Sequence, residues 1–359
     1  VGCCLALAWW SWQNARMSLS KNEPMSVLLI SDGRPGHYNL AEGVVAGVSR
    51  LRSLEVTRLQ VRRPAWLPAR VLSMLVNHGL PPERILGWVF GVDAETLGHV
   101  DLIVSAGGNT MAANIAAAEI TGAANIFYGS LRRYRAEDFA LILTSYAAQA
   151  EEPNQVMTLK PSRLDPDELL DDQADSHETA RTLGLIVGGN SGTVHFGEGD
   201  WNRLLEFVQT IGKSGTRWIV ANAPRTPEAT TNRLAAMAAE EDSPIAQFID
   251  VRSAGAGTLG ILLAQVEAVV CTADSSTMLS ETVWMRRPVI SVSPRGFRLP
   301  EDEAAYRDWL AMNGWTRQMP IEALTPETLK AALDEITVLD SNPLDTLAEQ
   351  LEERLPQLF

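Results

Sequence analysis

The sequence predicts an α/β protein with two layered domains, each built on a parallel sheet. Short β-rich apolar runs alternate with stretches at helical spacing that are long enough to serve as crossover connections. The alternation stops over an acidic segment with two prolines, residues 160–182, and then starts again. The length of 359 residues also exceeds what one hydrophobic core usually serves. We therefore expect two domains that face a cleft.

The first half of the chain predicts five strands with helices between them. The strands are SVLLIS, LEVTRLQV, DLIVSAGG, NIFYGS and FALILTS, and the helices are NLAEGVVAGVSRLR, PARVLSMLVNHGL, PERILGWVFG and NTMAANIAAAEITG. These elements define an N-terminal domain over residues 25–160. Residues 161–182 lack a long apolar run and are rich in carboxylates, so we interpret them as an acidic linker.

The second half repeats the pattern. Its strands are TLGLIVGG, RWIVANA, AQFIDV, EAVVCT and RPVISVS, and its helices are WNRLLEFVQTIGKSG, TTNRLAAMAAEE, GTLGILLAQV and STMLSETVWM. We assign residues 183–340 to the C-terminal domain. Residues 341–359 form a predicted amphipathic helix with leucines at 344, 347, 351 and 355, a spacing typical of a core-facing helix. We expect this helix to pack back on the first domain.

The composition excludes several classes of protein. A net charge of −14 argues against nucleic-acid binding, which needs clustered Lys and Arg. Cys3, Cys4 and Cys271 form no CxxC pair, which favours a reducing, cytoplasmic setting. The five histidines include no i, i+4 pair, so we predict no metal and no cofactor.

The segment VGCCLALAWWSWQNAR at the start is apolar but shorter than the about 20 residues that span a bilayer. We expect residues 1–24 to lie outside the fold as an over-extended reading frame or an added segment. A membrane-proximal tail is the alternative.

Four predicted strands end in loops rich in small polar residues. These loops are SDGRPGH at 31–37, SAGGNT at 105–110, GGNSG at 188–192 and TADSST at 272–277. Each leads directly or nearly so into a predicted helix, which places free N–H groups and the positive helix end at the carboxyl edge of the sheet. That arrangement suits an anion such as a diphosphate. Ordinary βα-loop and N-cap chemistry is the alternative for any single loop.

Common nucleotide and hydrolase motifs are absent from the sequence. No GxxxxGK[ST] motif is present, no GxGxxG follows the first strand, and no GxSxG occurs. The sequence therefore does not favour a P-loop NTPase, a nicotinamide-dependent enzyme or a serine hydrolase.

Two family resemblances follow from these motifs. Residues 248–294, FIDVRSAGAGTLGILLAQVEAVVCTADSSTMLSETVWMRRPVISVSP, resemble the donor-binding half of GT-B glycosyltransferases, in particular the N-acetylglucosaminyl transferase of peptidoglycan synthesis. The whole chain from Met25, with SDGRPGH, SAGGNT, GGNSG and TADSSTMLSE in order, is similar to bacterial members of the "elongated mitochondria" mitochondrial-fission family. The resemblance implies a GT-B-like fold of two Rossmann-like domains.

The GT-B resemblance assigns a nucleotide-sugar site to the C-terminal domain. It implies that Glu281 binds the ribose hydroxyls, that the backbone of Ile249 meets the base, and that Arg225 is a charge partner of the phosphates. The remaining candidate donor residues lie in the loops after two strands: Gly188, Gly189, Asn190, Ser191, Asp274, Ser275, Ser276, Thr277 and Met278. A solvated Glu281 and a surface Arg225 are the alternatives.

The first domain would then bind the acceptor and supply the catalytic base. An inverting transfer needs a group that takes the acceptor proton while the nucleoside diphosphate leaves, and His37 follows the first strand. The other candidate acceptor-side residues are Asp32, Gly33, Arg34, Gly36, Gly107, Gly108, Asn109 and Thr110. A histidine that caps a turn is the alternative for His37. The relative in peptidoglycan synthesis has GGTGGH in this loop, so the acceptor and the mechanism can differ.

The resemblance implies a glycosyltransferase that uses a nucleoside-diphosphate sugar. We expect it to be metal-independent because helix N-termini, rather than Mg²⁺, would bind the diphosphate. The acceptor is unidentified, and a lipid-linked acceptor would fit membrane contact by residues 58–90, where arginines lie near Trp66, Leu67 and Trp88. A buried helical pair is the other interpretation of that region. We expect a cytoplasmic protein, with a peripheral location at the inner membrane as the further possibility. The alternative functions are a non-catalytic scaffold of the mitochondrial-fission family and a nucleotide-sugar epimerase.

Overall fold

The computed structural model describes residues 23–171, 182–192, 194–255 and 257–359. Most of the predicted extension, residues 1–22, and part of the predicted linker, residues 172–181, lie outside them. The described part of the chain divides into two compact units, residues 23–142 with 347–359 and residues 143–346. The division falls inside a strand, whereas the sequence placed the domain boundary at residue 160.

The described residues form two sheets of six strands, as the alternation of strands and helices predicts. The first sheet has the order β2-β1-β3-β4-β5-β6, and its central strands pair in parallel. Its elements are β1 (Met25–Ser31), α1 (Pro35–Ser49), β2 (Leu54–Gln60), α2 (Ala69–Asn77), α3 (Pro82–Arg84), β3 (Leu102–Ala106), α4 (Met111–Thr121), β4 (Ala124–Tyr128), β5 (Leu141–Thr144) and β6 (Gln155–Met157). A π-helical turn, Ile85–Phe90, follows α3 directly.

The second sheet has the order β12-β11-β10-β7-β8-β9, again with parallel pairs. Its elements are α5 (Pro166–Asp171), β7 (Thr182–Val187), α6 (Glu198–Gly212), β8 (Arg217–Asn222), α7 (Glu228–Ala238), β9 (Ile245–Ile249), α8 (Val251–Ala254), α9 (Thr258–Gln265), β10 (Ala268–Thr272), α10 (Ser276–Trp284), β11 (Val289–Ser293), α11 (Glu301–Met312), β12 (Thr316–Pro320) and α12 (Pro326–Asp334). Helix α13 (Pro343–Arg354) closes the chain.

The central strands are buried on both faces because helices cover both sides of each sheet. Every residue of β3 and of β10 is buried, which explains why these strands appear as continuous apolar runs rather than alternating ones. No helix within the described part of the chain combines the length and the apolar character needed to cross a bilayer.

The last helix contributes to the core of the first unit. Leu347 is buried, and its side chain lies against Gly47 of α1, where an added Cβ would come within 2.8 Å of Leu347 Cδ2. A glycine at position 47 therefore lets the backbone of α1 approach this leucine closely.

The structure departs from the predicted elements in three ways. Helix α1 begins at Pro35 rather than near Asn39, because proline suits the first helical position. Residues 166–171 of the predicted linker form helix α5. Strands β6 and β12 and helices α11 and α12 have no counterpart among the predicted elements.

Candidate functional site

The first group of predicted residues meets at the carboxyl ends of β1 and β3. Asp32 follows β1 and is almost fully buried, with 3% of its side chain exposed. His37 lies in the first turn of α1, and its Nδ1 is 3.0 Å from Asp32 Oδ2 and 3.1 Å from Oδ1. The early start of α1 thus turns the imidazole back toward the end of the strand that precedes it.

The Asp32 carboxylate is held by several donors. The side-chain amide of Asn109, which follows β3, donates to Asp32 Oδ2 at 3.0 Å, and the Arg34 backbone N–H donates to Oδ1 at 3.2 Å. Burial alone would raise the pKa of Asp32, but the hydrogen bonds from Asn109 and His37 outweigh it and hold the pKa below its usual value. Asp32 therefore stays ionised and accepts the proton on His37 Nδ1.

This pairing gives the imidazole a defined chemical role. When Nδ1–H donates to the carboxylate, the lone pair is on Nε2, which can accept a proton from a substrate. The His37 side chain is 31% exposed, so a ligand can reach the ring. The Asp32–His37 pair can therefore act as a general base whose ring orientation is fixed by the carboxylate.

The glycines of the second loop leave room for this pair. An added Cβ at Gly107 would lie 2.2 Å from His37 Nδ1, and the backbone there is left-handed, with φ of +87°. At Gly108 an added Cβ would come within 3.0 Å of the Nε of Arg132. Arg132 itself has a φ of +57°, which is unfavourable for a residue with a side chain. Sequence reasoning missed this exposed arginine, since nothing in LRRYR distinguishes it from its neighbours.

The other predicted first-unit residues have structural or exposed positions. Thr110 is fully buried and donates its hydroxyl to the Gly107 carbonyl at 2.9 Å, which closes the loop. Gly33 has a φ of +77° and lies against the Gln60 side chain. Arg34 and Gly36 are exposed at the start of α1.

The second group of predicted residues meets at the carboxyl ends of β7, β8 and β10. Thr272 Oγ1 accepts from the Gly188 N–H at 2.7 Å and donates to Asp274 Oδ1 at the same distance. An added Cβ at Gly188 would lie 2.1 Å from Asp274 Oδ1. At Gly189 it would lie 2.0 Å from the Arg225 carbonyl oxygen. Both glycines are thus required for three loops to approach one another.

Arg225 has a partner within the protein. Its Nη2 donates to Asp274 Oδ2 at 3.0 Å, and the carboxylate is fully buried whereas the arginine is half-exposed. Ser191 donates its hydroxyl to the Asp274 backbone carbonyl, and Asn190 Oδ1 accepts from the Phe196 N–H. These side chains fix the loops, which leaves backbone groups and the exposed part of Arg225 for a ligand.

Helix α10 begins at this same edge. Ser275 is its N-cap, and the hydroxyl accepts from the Met278 N–H at 3.3 Å. The N–H groups of Ser276 and Thr277 belong to the first helical turn, where no preceding helical carbonyl can reach them. The helix thus offers donors and a partial positive charge to an anion.

The end of β9 lies beside β8. Ile249 is buried, and the following Asp250 accepts from the Asn222 side chain at 2.9 Å. That hydrogen bond holds the pKa of Asp250 below its usual value. Asn222 also accepts from the Val251 N–H at 2.8 Å, so the turn after Ile249 is rigidly held.

Glu281 lies one turn further along α10. Burial raises the pKa of its carboxyl from 4.5 to about 7, and the charge of Arg163 offsets only part of that effect. The protein offsets only part of the cost of burying the charged carboxylate. Hydrogen bonds from the hydroxyls of a ligand would stabilise its ionised form.

Sequence reasoning missed a cation beside α10. Lys160 is buried, and its ammonium donates to the Ser276 hydroxyl and to Glu303 Oε2, the latter at 3.1 Å. Lys160 is the last residue of the predicted N-terminal domain, directly before the predicted linker, and Glu303 belongs to the unpredicted helix α11. No local motif marks either residue. Leu67, expected beside Trp66 at the surface, is buried, which corrects that part of the membrane-contact prediction.

The sequence matches the family model described as mitochondrial fission ELM1 over residues 35–355, which is most of the chain. The chain belongs to the mitochondrial fission ELM1 family. This confirms the resemblance drawn from the four loops. No curated protein matches the ELM1-family chain by sequence.

Solved structures similar to this ELM1-family chain include glycosyltransferases and epimerases. MurG from Acinetobacter baumannii is 13% identical, with a TM-score of 0.51 and coverage of 93% of this chain and 98% of that chain. The S. aureus MnaA–UDP structure is 12% identical, with a TM-score of 0.54 and coverage of 92% and 96%. A putative UDP-N-acetylglucosamine 2-epimerase from Listeria monocytogenes is 14% identical, with a TM-score of 0.55 and coverage of 93% and 96%. This likeness confirms a GT-B-like fold.

Within the described residues, no group of three or more His, Cys, Asp and Glu side chains is arranged to hold a metal ion.

Proposed function

We propose that this protein binds a nucleoside-diphosphate sugar through its second unit and transfers the sugar to an acceptor. The observation that carries the proposal is the meeting of the Gly188–Gly189 loop, Arg225 and the start of α10 at one edge of the second sheet. The structure of MnaA, which shares the fold, contains UDP. The free N–H groups and the helix dipole supply charge stabilisation for a diphosphate without a metal.

Glu281 is the proposed partner of the ribose. A carboxylate accepts hydrogen bonds from two neighbouring hydroxyls, and burial makes such bonds stronger than at the surface. The turn from Ile249 to Val251, held by Asn222, is the proposed contact with the base.

His37 is the proposed general base for the acceptor hydroxyl. Its ring is oriented by Asp32 and partly exposed, and this combination is what proton abstraction requires. A histidine that only caps α1 would not need a buried carboxylate held by Asn109. The direct displacement that follows from one base would invert the configuration of the sugar.

A nucleotide-sugar epimerase is the second candidate, because the Listeria structure of the same fold is described as a putative UDP-N-acetylglucosamine 2-epimerase. A non-catalytic scaffold is the third, in keeping with the name of the ELM1 family. The Asp32–His37 pair favours an enzyme, since a scaffold has no need of a buried, ionised carboxylate behind an exposed histidine.

The test begins with thermal shift measurements with UDP, GDP, ADP and their sugar derivatives. We expect one nucleoside diphosphate to raise the Tm of the wild-type protein and to have no such effect on Glu281→Ala. If none of these compounds shifts the Tm of the wild type, donor binding is disproved.

Catalysis is tested with His37→Ala. This variant should lose sugar release from the bound donor and keep nucleotide binding, whereas unchanged turnover would remove His37 from the mechanism. His99→Ala is the matched control, since His99 also pairs with a buried aspartate, Asp101, at 3.0 Å, just before β3 at the opposite edge of the same sheet. Release of an isomerised sugar without any acceptor would assign the protein as an epimerase.

We further propose that residues 58–90 contact an anionic membrane surface, where a lipid-linked acceptor would be found. Trp66 and Trp88 are 74% and 71% exposed, and Arg84 lies over the Trp88 ring at 5.0 Å. Arg70 and Met74 are exposed one turn apart on α2. Exposed indoles beside arginines suit the headgroup region of a bilayer.

Vesicle sedimentation tests this contact. Wild-type protein should bind phosphatidylglycerol vesicles and not phosphatidylcholine vesicles, and Trp66→Ala/Trp88→Ala should lose most of that binding. Met312→Ala, at an 85% exposed apolar residue of the second unit, is the control. Equal binding by the double variant would contradict the proposal.

A further inference from the structure

Lys160 occupies an unusual position for a buried lysine. Its side chain is only 10% exposed, and its ammonium lies at the first residue of α10, where it donates to the Ser276 hydroxyl. The Tyr306 ring is 4.5 Å from Nζ. The positive end of a helix dipole repels a cation, so this location is unfavourable unless an anion is present as well.

The charges around Lys160 do not cancel. Glu303 is the carboxylate in contact with it, and the other oxygen of Glu303 accepts from Arg307 Nε at 2.9 Å. One carboxylate therefore serves two buried cations. Burial lowers the pKa of Lys160, Glu303 offsets part of that effect, and the nearby charge of Arg307 lowers the pKa further. The two basic side chains thus outnumber the one carboxylate that contacts them.

Arg307 adds a second sign of an incomplete site. Its side chain is 5% exposed, and its Nη1 has no hydrogen-bond partner among the described residues. A buried guanidinium N–H without an acceptor costs free energy that a bound anion would recover.

We propose that Lys160 is the residue that contacts the diphosphate of the donor at the start of α10, and that Glu303 holds Lys160 in place until the donor binds. This inference rests on the proposed function. In the transfer, the acceptor oxygen forms a bond to the anomeric carbon and loses its proton to His37. The bond from that carbon to the β-phosphate oxygen breaks, and the electron pair remains on the departing diphosphate. Lys160 stays protonated and neutralises part of the new charge.

The structure favours Lys160 over Arg225 in this role. Arg225, to which the sequence assigned the charge partnership, is tied to a fully buried carboxylate and is half-exposed to water, which screens its charge. Lys160 is buried, lies at the helix end itself, and shares its carboxylate with Arg307. Its attraction for a diphosphate is therefore the stronger of the two.

Isothermal titration with UDP, uridine and inorganic pyrophosphate tests the proposal in full-length protein. Lys160→Met should raise the Kd of UDP by about 10- to 100-fold, the usual value of a hydrogen bond to a charged group, and leave the Kd of uridine unchanged. Lys160→Arg should recover part of the affinity. Glu303→Gln should lower the Kd of UDP, because the ammonium no longer has a competing carboxylate.

The control is Lys330→Met, since Lys330 also pairs with a carboxylate in the second unit but is 70% exposed. If Lys160 only stabilises the fold, Lys160→Met should weaken the binding of UDP and of uridine equally, and Glu303→Gln should weaken the binding of both. Either result overturns the inference. If Lys160→Met does not fold, the UDP affinities of Lys160→Arg and Glu303→Gln test the inference by themselves.

Unchanged UDP affinity in Lys160→Met would refute this inference and leave the proposed function intact. If the wild-type protein binds pyrophosphate but neither UDP nor uridine, and Lys160→Met loses that binding, the proposed donor is refuted and the anion contact of Lys160 at the start of α10 is supported.

Discussion

The buried carboxyl of Glu281 leads to a prediction about stability as well as binding. Burial raises its pKa from 4.5 to about 7 in the folded protein. The folded state therefore binds this proton more tightly than the unfolded state does. Stability falls as pH rises from 4.5 to 7, and the loss is complete above pH 7. Replacement by glutamine, which has the same shape and no charge, should remove that loss.

The expected size follows from the shift. The rise of the pKa from 4.5 to about 7 corresponds to about 3 kcal/mol, and the intermediate burial of the whole residue reduces this to about 1–3 kcal/mol. In a unit of roughly 200 residues, each kcal/mol moves the Tm by about 2–4 °C. Glu281→Gln should therefore unfold about 2–12 °C higher than the wild type at pH 8, and much closer to it at pH 5.

Thermal unfolding at the two pH values measures this directly, with the exposed Glu240→Gln of the same unit as the control. The same variant should bind the nucleoside diphosphate about tenfold more weakly, because an amide offers the ribose one acceptor oxygen in place of two. A Tm that falls at pH 8, or a gain that is equal at both pH values, would refute the reasoning about burial.

Three further predictions concern packing. Gly107→Ala should displace His37, because the added Cβ overlaps the imidazole and the backbone angle is unfavourable for alanine. We expect a loss of about 1–3 kcal/mol in the free energy of urea unfolding, together with a loss of turnover. A variant with wild-type stability and turnover would contradict the close contact. Gly189→Ala, whose Cβ would meet the rigid carbonyl of Arg225, should weaken nucleotide binding in titration calorimetry, with Gly199→Ala in open surroundings as its control. Leu347→Ala should cost about 2–5 kcal/mol in urea unfolding, since the side chain is buried against α1, whereas the exposed Glu349→Ala should change little.

The fold and most of the candidate site were predictable because they depend on local patterns. Runs such as DLIVSAGG carry both the strand and the loop that follows it, and parallel sheets bring all such loops to one edge. That rule alone brought Asp32 toward Asn109 and Gly188 toward Asp274, which are 77 and 86 positions apart in the chain.

The interactions that sequence reasoning missed are long-range pairings without a motif. Lys160 and Glu303 are 143 positions apart, one in a segment rich in acidic residues and the other on a helix that was not predicted. The link between Arg225 and Asp274 spans 49 positions, and small-residue loops do not reveal which charges will meet across them. Helix α11 was missed because its first turn carries three acidic residues, as a solvated segment would.

The two units also show different uses of a buried carboxylate. Asp32 has enough donors to stay ionised, so it holds the His37 ring in one orientation without any ligand. Glu281 lacks such compensation and Glu303 is shared by two cations, so each reaches its most favourable state when another molecule adds donors or negative charge. If the second unit binds a nucleoside diphosphate, its ribose hydroxyls would supply the donors to Glu281 and its phosphates the charge at Lys160. One ligand would then supply both the hydrogen-bond donors that Glu281 lacks and the negative charge that Lys160 lacks. For this reason we expect Glu281→Gln to weaken the binding of that ligand and Glu303→Gln to strengthen it.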